Sequence, residues 1–218
     1  MDYKTLRKLF ELSANPEAAV GMTAYLRDQF PHFGIPTPKR REITKKFFAN
    51  ERKTDPIDWA FVFECYDADE RELQYAAVNY LSGKADKLTK DDIPNLKRLI
   101  VTKSWWDTVD GLDALVGGIA FKDPSVNVIL LAWSKDENFW LRRVAIDHQL
   151  RRKDKTNTEL LATIIKNNLN KKEFFINKAI GWALREYSKT DPEWVRNFIN
   201  ENKKNMANLS IKEASKYI

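Results

Sequence analysis

Cysteine is nearly missing from this 218-residue chain. Cys65 stands alone, which excludes an internal disulfide and any cysteine-based zinc site. Histidine is almost as scarce: His32 and His148 lie far apart with no ligand spacing around them, so neither a metal nor another cofactor is expected. Seven glycines and eight prolines leave little material for the many tight turns of an all-β fold. No apolar run approaches the ~18 residues that a membrane span needs. Residues 1–12 mix charges at helical spacing and do not read as a signal peptide. The expectation by default is a cytoplasmic protein without a membrane partner.

What the chain has instead is apolar and charged residues interleaved along its whole length. Hydrophobic residues make up 43% and charged residues 31%, too apolar for disorder and enough for one core or a short repeat array. Lysine and arginine number 37 against 31 acidic residues, a net charge of +6 that leans toward a polyanionic partner.

The interleaving has the helical period. Stretches such as 69–83, 104–121, 138–152 and 171–187 read as amphipathic helices, separated by short breaks rich in Asp, Asn, Pro or Lys. Shorter helical stretches run between them at 56–66, 89–102, 123–135 and 157–168. Upstream, Thr37 reads as a cap with Pro38 in the first turn of a helix that carries Lys39, Arg40 and Arg41. About thirteen helices and no sheet are expected, without a second domain or a long linker.

Four of the helices are copies of one another. Glu72, Trp106, Trp140 and Phe174 follow at intervals of 34 residues. Five positions after each comes a small residue: Ala77, Gly111, Ala145 and Ala179. The next position is aliphatic in every copy: Val78, Leu112, Ile146 and Ile180. Small residues at a fixed register let neighbouring helices approach closely, and the aliphatic ones fill the seam. Self-similarity at this period marks a helical solenoid. The Trp, Leu-Gly and Tyr pattern of a TPR array is missing, so the expected fold is all-α: a right-handed curved solenoid of HEAT-like helical repeats, forming a single domain over residues 1–218.

Numbered from Trp106, positions one, four, five, eight and nine of the repeat share one helical face. That face carries Trp106 and Asp110 in the second copy, Trp140, Arg143 and His148 in the third, and Phe174, Lys178 and Trp182 in the fourth. Each has a plain reading beside the functional one. Trp106 and Trp182 could be core packing, Asp110 and Asp113 a solvated face, and Arg143 one more surface cation. Asp107 reads as structural, because Ser104 and Asp107 have the spacing of a capping box. Jointly, the stripe puts aromatic rings, a carboxylate and an arginine on one groove, a costly combination without a purpose.

The chain resembles the AlkD-like DNA alkylation-repair glycosylases along nearly its whole length. The resemblance is densest in Thr102-Lys-Ser-Trp-Trp-Asp-Thr-Val-Asp110, in Trp140-Leu-Arg-Arg143 and in Lys172-Glu-Phe-Phe-Ile-Asn-Lys-Ala-Ile-Gly-Trp182-Ala-Leu-Arg-Glu-Tyr187. Phe33-Gly-Ile-Pro-Thr-Pro-Lys-Arg-Arg41 is a further block. The resemblance implies a HEAT-like scaffold cradling alkylated double-stranded DNA, and excision of N3-methyladenine and N7-methylguanine without base flipping. It implies an active-site cleft with Trp106, Asp110 and Trp182, and it selects Asp110 over Asp113, which periodicity leaves open. It also implies Arg143 as a backbone contact and Tyr25, in Met22-Thr-Ala-Tyr25, as a residue of the same cleft. Lys39, Arg40, Arg41 and Lys178 are further candidates for phosphate contacts, and a monomer is expected. The rival from another class is a non-catalytic helical scaffold that binds DNA or protein, which fold alone would favour.

Overall fold

A computed structural model describes residues 1–49 and 55–218, and every regular element in them is helical. The described residues form thirteen α-helices with four short 3-10 turns and no strand, as the helical periodicity predicts. They fall into two compact units, Met1–Lys87 and Leu88–Ile218.

The first unit holds α1 (Tyr3–Glu11), α2 (Pro16–Tyr25), α3 (Thr37–Phe47), α4 (Trp59–Asp67) and α5 (Arg71–Gly83). Its helices start where short acceptors can take up orphan amides: Asp2, Asn15 and Asp58 cap α1, α2 and α4 with their side chains. Helices α3 and α5 are the exceptions, and Glu70 at the cap position of α5 makes no side-chain cap bond. Thr37 lies inside α3 as the first residue, extended Pro36 takes the cap position, and no side chain caps it. Leu6, Phe10, Ile35, Phe61, Leu73 and Leu81 fill the core, each burial contributing about 1.5–3 kcal/mol. Glu72, at position one of the repeat frame, is fully buried. Its carboxylate accepts the backbone N–H groups of Phe33, Gly34 and Ile35 at 3.0, 2.9 and 3.0 Å. That anchors the loop before α3 to α5. Gly34 allows the turn: its φ is +83°, and an added Cβ would sit 2.0 Å from the Asn15 carbonyl oxygen. The glycine- and proline-rich block at 33–41 therefore has a structural cause.

The second unit runs through α6 (Ile93–Val101), α7 (Trp106–Lys122), α8 (Asn127–Trp133), α9 (Phe139–Asp147), α10 (Thr158–Lys166), α11 (Phe174–Ser188), α12 (Pro192–Asn202) and α13 (Asn208–Ala214). The 34-residue register survives here as packing. Helix α9 packs against both α7 and α11, with Ala145 and Ala179 fully buried and Leu112, Ile146 and Ile180 at most 1% exposed.

Helix ends are tighter than the periodicity suggests. The stretch at 123–135 splits into a 3-10 turn at Pro124–Val126, capped by the Asp123 side chain on the Ser125 N–H, and then α8. At 89–102 a capping box of Thr89 and Asp92 closes a 3-10 turn before α6 begins. Helix α9 stops at Asp147, well before residue 152; residues 148–151 form turns, and Arg151 adopts a left-handed φ of +67° that rules out continuing as helix. The box expected at the start of α7 does not form. The Ser104 hydroxyl donates back to the Ile100 carbonyl at 2.6 Å, and Trp105 occupies the cap position without a side-chain bond.

Candidate active site

Helix α7 places Trp106, Asp110 and Asp113 four and then three residues apart, on one face. Asp110 keeps its side chain 27% exposed and accepts two hydrogen bonds from Arg143, at 2.8 Å from Nε and 3.0 Å from Nη2. A third donor of Arg143 goes to the Phe175 carbonyl on α11, at 2.8 Å from Nη1. With its side chain 1% exposed, Arg143 has no free face for a phosphate. The expected backbone contact is instead a buried strut between three helices, and its planar fork suits a carboxylate held at two points.

Two further carboxylates close in behind this pair. Asp147, one helical turn after Arg143, is 2% exposed and lies 3.7 Å from its Nε. Asp113 is 5% exposed. The three carboxylates bring oxygens within 4.8 Å of one another, a spacing that asks for a cation between them, and the cation built into the cluster is the Arg143 guanidinium. Burial pushes Asp147 up to about 7 against the pull of Arg143. Burial, and then the charges of Asp147 and Asp110, hold Asp113 well above the usual carboxylate range. Asp110 is raised too, by burial, with Arg143 pulling the other way. For Arg143 itself burial opposes the charge, but Asp147 and Asp110 outweigh it and hold the guanidinium above its ordinary value.

A cavity of about 690 Å³ opens beside the cluster, lined by Asp110, Asp113, Asp147, His148 and Trp182 among others. The Trp182 ring meets three cations, with Arg143 at 5.3, Lys178 at 5.8 and Arg185 at 6.0 Å from its centroid. An electron-rich ring face beside a carboxylate favours positive charge in the cavity. His148 is buried at the end of α9, its Nδ1 2.7 Å from the Ala145 carbonyl, and burial lowers it to about 3, so it stands neutral. Trp140 belongs elsewhere: it is 6% exposed and packs with Trp105, Phe139 and Phe175 at centroid distances of 6.0, 4.7 and 4.9 Å. Its place in the stripe is core packing.

A family model described as DNA alkylation repair enzyme matches residues 6–218. The chain belongs to that family. A solved structure described as a predicted DNA alkylation repair enzyme from Enterococcus faecalis is 36% identical, with a TM-score of 0.86 over 94% of this chain and 97% of that one. The structure of smu.31 from Streptococcus mutans UA159 shares the fold at 18% identity and a TM-score of 0.61, covering 82% of this chain and 92% of its own. No curated protein matches the chain.

The other residues singled out for this family fall as follows. Lys178 donates to Glu213 of α13 at 2.7 Å, where Arg185 and Lys216 also converge. Lys178 and Lys216 hold that carboxyl down at about 2. In the first unit Tyr25 is 71% exposed and borders a separate cavity of about 400 Å³ with His32, Arg40 and Tyr75. The Arg40 guanidinium stacks 4.3 Å from the Tyr75 ring. Lys39 pairs with Glu42 on the surface and Arg41 is exposed. Asp147 has no mark of its own in the sequence, and Asp113 reads there as part of a solvated face. One signal was present: the two lie 34 residues apart, both at position eight of the repeat frame.

Proposed function

We propose that the protein is a monofunctional DNA glycosylase that hydrolyses the N-glycosidic bond of N3-methyladenine and N7-methylguanine in duplex DNA. In this reading it works as a cytoplasmic monomer of HEAT-like repeats, without flipping the base. The observation that carries it is Asp110, a carboxylate fixed at two points by Arg143 yet open to the cavity that Trp182 also lines.

Alkylation at N3 or N7 makes the purine cationic and a good leaving group. Its bond to the sugar breaks through an oxocarbenium-like state, so the enzyme's task is to stabilise positive charge. Asp110 does this electrostatically and orients the attacking water. No general acid is required for a cationic base, and no lysine nucleophile is invoked, so the DNA strand stays intact. Trp182 adds its ring face, and Trp106, one turn before Asp110, packs against the deoxyribose. The cavity wall offers carboxylates, cations and, among the described residues, no amide side chain to read a base edge. That fits an enzyme selecting lesions by their lability rather than by a flipped-base pocket. Tyr25, Lys39, Arg40 and Arg41 serve as contacts to the DNA backbone.

The test is release of 7-methylguanine from methylated duplex DNA by wild type and Asp110→Asn. Wild type should release the base, and the variant should bind DNA normally with release reduced by roughly 100- to 1,000-fold. No release by either protein would leave a non-catalytic scaffold. Efficient release of hypoxanthine, a neutral base, would contradict selection by lability.

A further inference from the structure

A carboxylate locked in a bidentate pair with arginine is a poor stabiliser of a cation, because the pair as a whole is neutral. Asp110 and Arg143 form such a pair. The glycosylase reading needs net negative charge where the sugar becomes cationic, and the pair alone does not supply it.

We infer that Asp113 and Asp147 are positioning residues for this reaction: acting through Arg143, they restore the negative charge at Asp110 that the ion pair would otherwise cancel. The inference rests on the glycosylase reading and deepens it. Asp147 lies 3.7 Å from Nε, the same nitrogen that donates to Asp110, while the bond to the Phe175 carbonyl comes from Nη1. Neither Asp147 oxygen accepts a hydrogen bond from a protein group among the described residues. A buried acceptor left so bare has the guanidinium charge as its compensation. Arg143 is therefore divided between two carboxylates, and each keeps part of its own charge.

Two buried carboxylates this close cannot both ionise easily, so Asp113 and Asp147 hold one proton between them over a wide range of pH. With that shared proton the four-residue cluster carries one net negative charge. With a second proton, below about neutral pH, it carries none. The raised titration of both groups agrees with this count. Few other ionisable groups bear on the pair. From α7 it faces Asp110, and from α9 Arg143 and a neutral His148. Across the cavity stand Arg185 and Glu186 of α11, with Arg151, Arg152 and Lys155 beyond α9. The buried residues of α6, α8 and α10 are all apolar.

The experiment is single-turnover release of 7-methylguanine, with protein saturating over DNA, across pH 6 to 8.5, for wild type and for Asp113→Asn combined with Asp147→Asn. Wild type should speed up as pH rises through neutrality and the pair loses its second proton. The double variant keeps Asp110 and Arg143. It should be roughly 10- to 100-fold slower at high pH, lose the neutral-pH limb and bind DNA no more weakly. A double variant with the wild-type rate, or with the same limb, would overturn the inference. If the double variant fails to fold, the wild-type profile decides: a rate that is flat across this range overturns it. Absence of release by wild type at every pH would instead overturn the glycosylase reading, and this inference with it.

Discussion

Burying Asp147 and Asp113 has a cost that the folded protein carries at every pH where they are charged. Asp147 titrates at about 7 in the folded chain, against about 3.9 when unfolded. Between those values the native state holds a proton that the unfolded state has released. Stability from this group is therefore fully present at low pH and is lost as pH rises toward 7. Most surface carboxylates act in the opposite sense. In urea titrations between about pH 5 and pH 7, the pair holds about two protons that the unfolded chain has released, so the free energy of unfolding should fall by about 2–3 kcal/mol per pH unit more in wild type than in the variant lacking both buried aspartates. Equal slopes would mean that the two groups titrate normally in the folded protein.

At the scale of the element, the site depends on how closely α7 and α9 approach. Gly117 sets that distance: a Cβ there would lie 2.2 Å from the His148 carbonyl oxygen, a backbone atom that cannot turn aside. Gly118 next to it faces open space. Gly117→Ala should destabilise by about 2–3 kcal/mol and, in the glycosylase proposed above, lower base release by disturbing the Asp110–Arg143 geometry. Gly118→Ala should be neutral or stabilising by up to about 1 kcal/mol, the ordinary helix preference for alanine. Chemical denaturation of the two variants separates the effects, and equal stabilities would refute the close approach. The same pair of helices shows where sequence is informative. The small and aliphatic register at Ala145 and Ile146 was legible, since packing of like helices repeats with the chain. So was the face shared by Trp106 and Asp110, because helical spacing alone fixes it. The burial of Arg143 was not legible: an arginine on an amphipathic helix ordinarily reaches water, and only the Phe175 carbonyl from α11 shows that this one is covered. Asp113 read as solvated for the same reason and Asp147 drew no reading at all, although their equal place in the repeat hinted otherwise. Helix ends went astray at Pro124 and after Asp147, where the chain passes into 3-10 or turn geometry that the apolar period does not register.

For the whole molecule, the net charge of +6 says that a polyanion is welcome, but not which cations meet it. Arg143 and Lys178 have carboxylate partners at 2.8 and 2.7 Å, and a cation already neutralised gives up little counterion on reaching a phosphate. Arg152 donates to the Gly117 carbonyl at 2.7 Å. On the rim of the cavity beside Asp110, that leaves Arg151 and Lys155, both exposed, as the cations best placed to displace salt from DNA. Each phosphate contact adds about 0.9 to the slope of log affinity against log salt concentration on duplex DNA. Replacing Arg151 and Lys155 together by alanine should therefore reduce that slope by about 1–2 between roughly 50 and 200 mM salt, whatever the DNA sequence. Lys178→Ala should change it by much less than one contact. Fluorescence anisotropy on an undamaged duplex makes the measurement without any chemistry. A slope untouched by the rim pair but lowered by Lys178→Ala would put the phosphate contacts on α11 and not on the turn after α9.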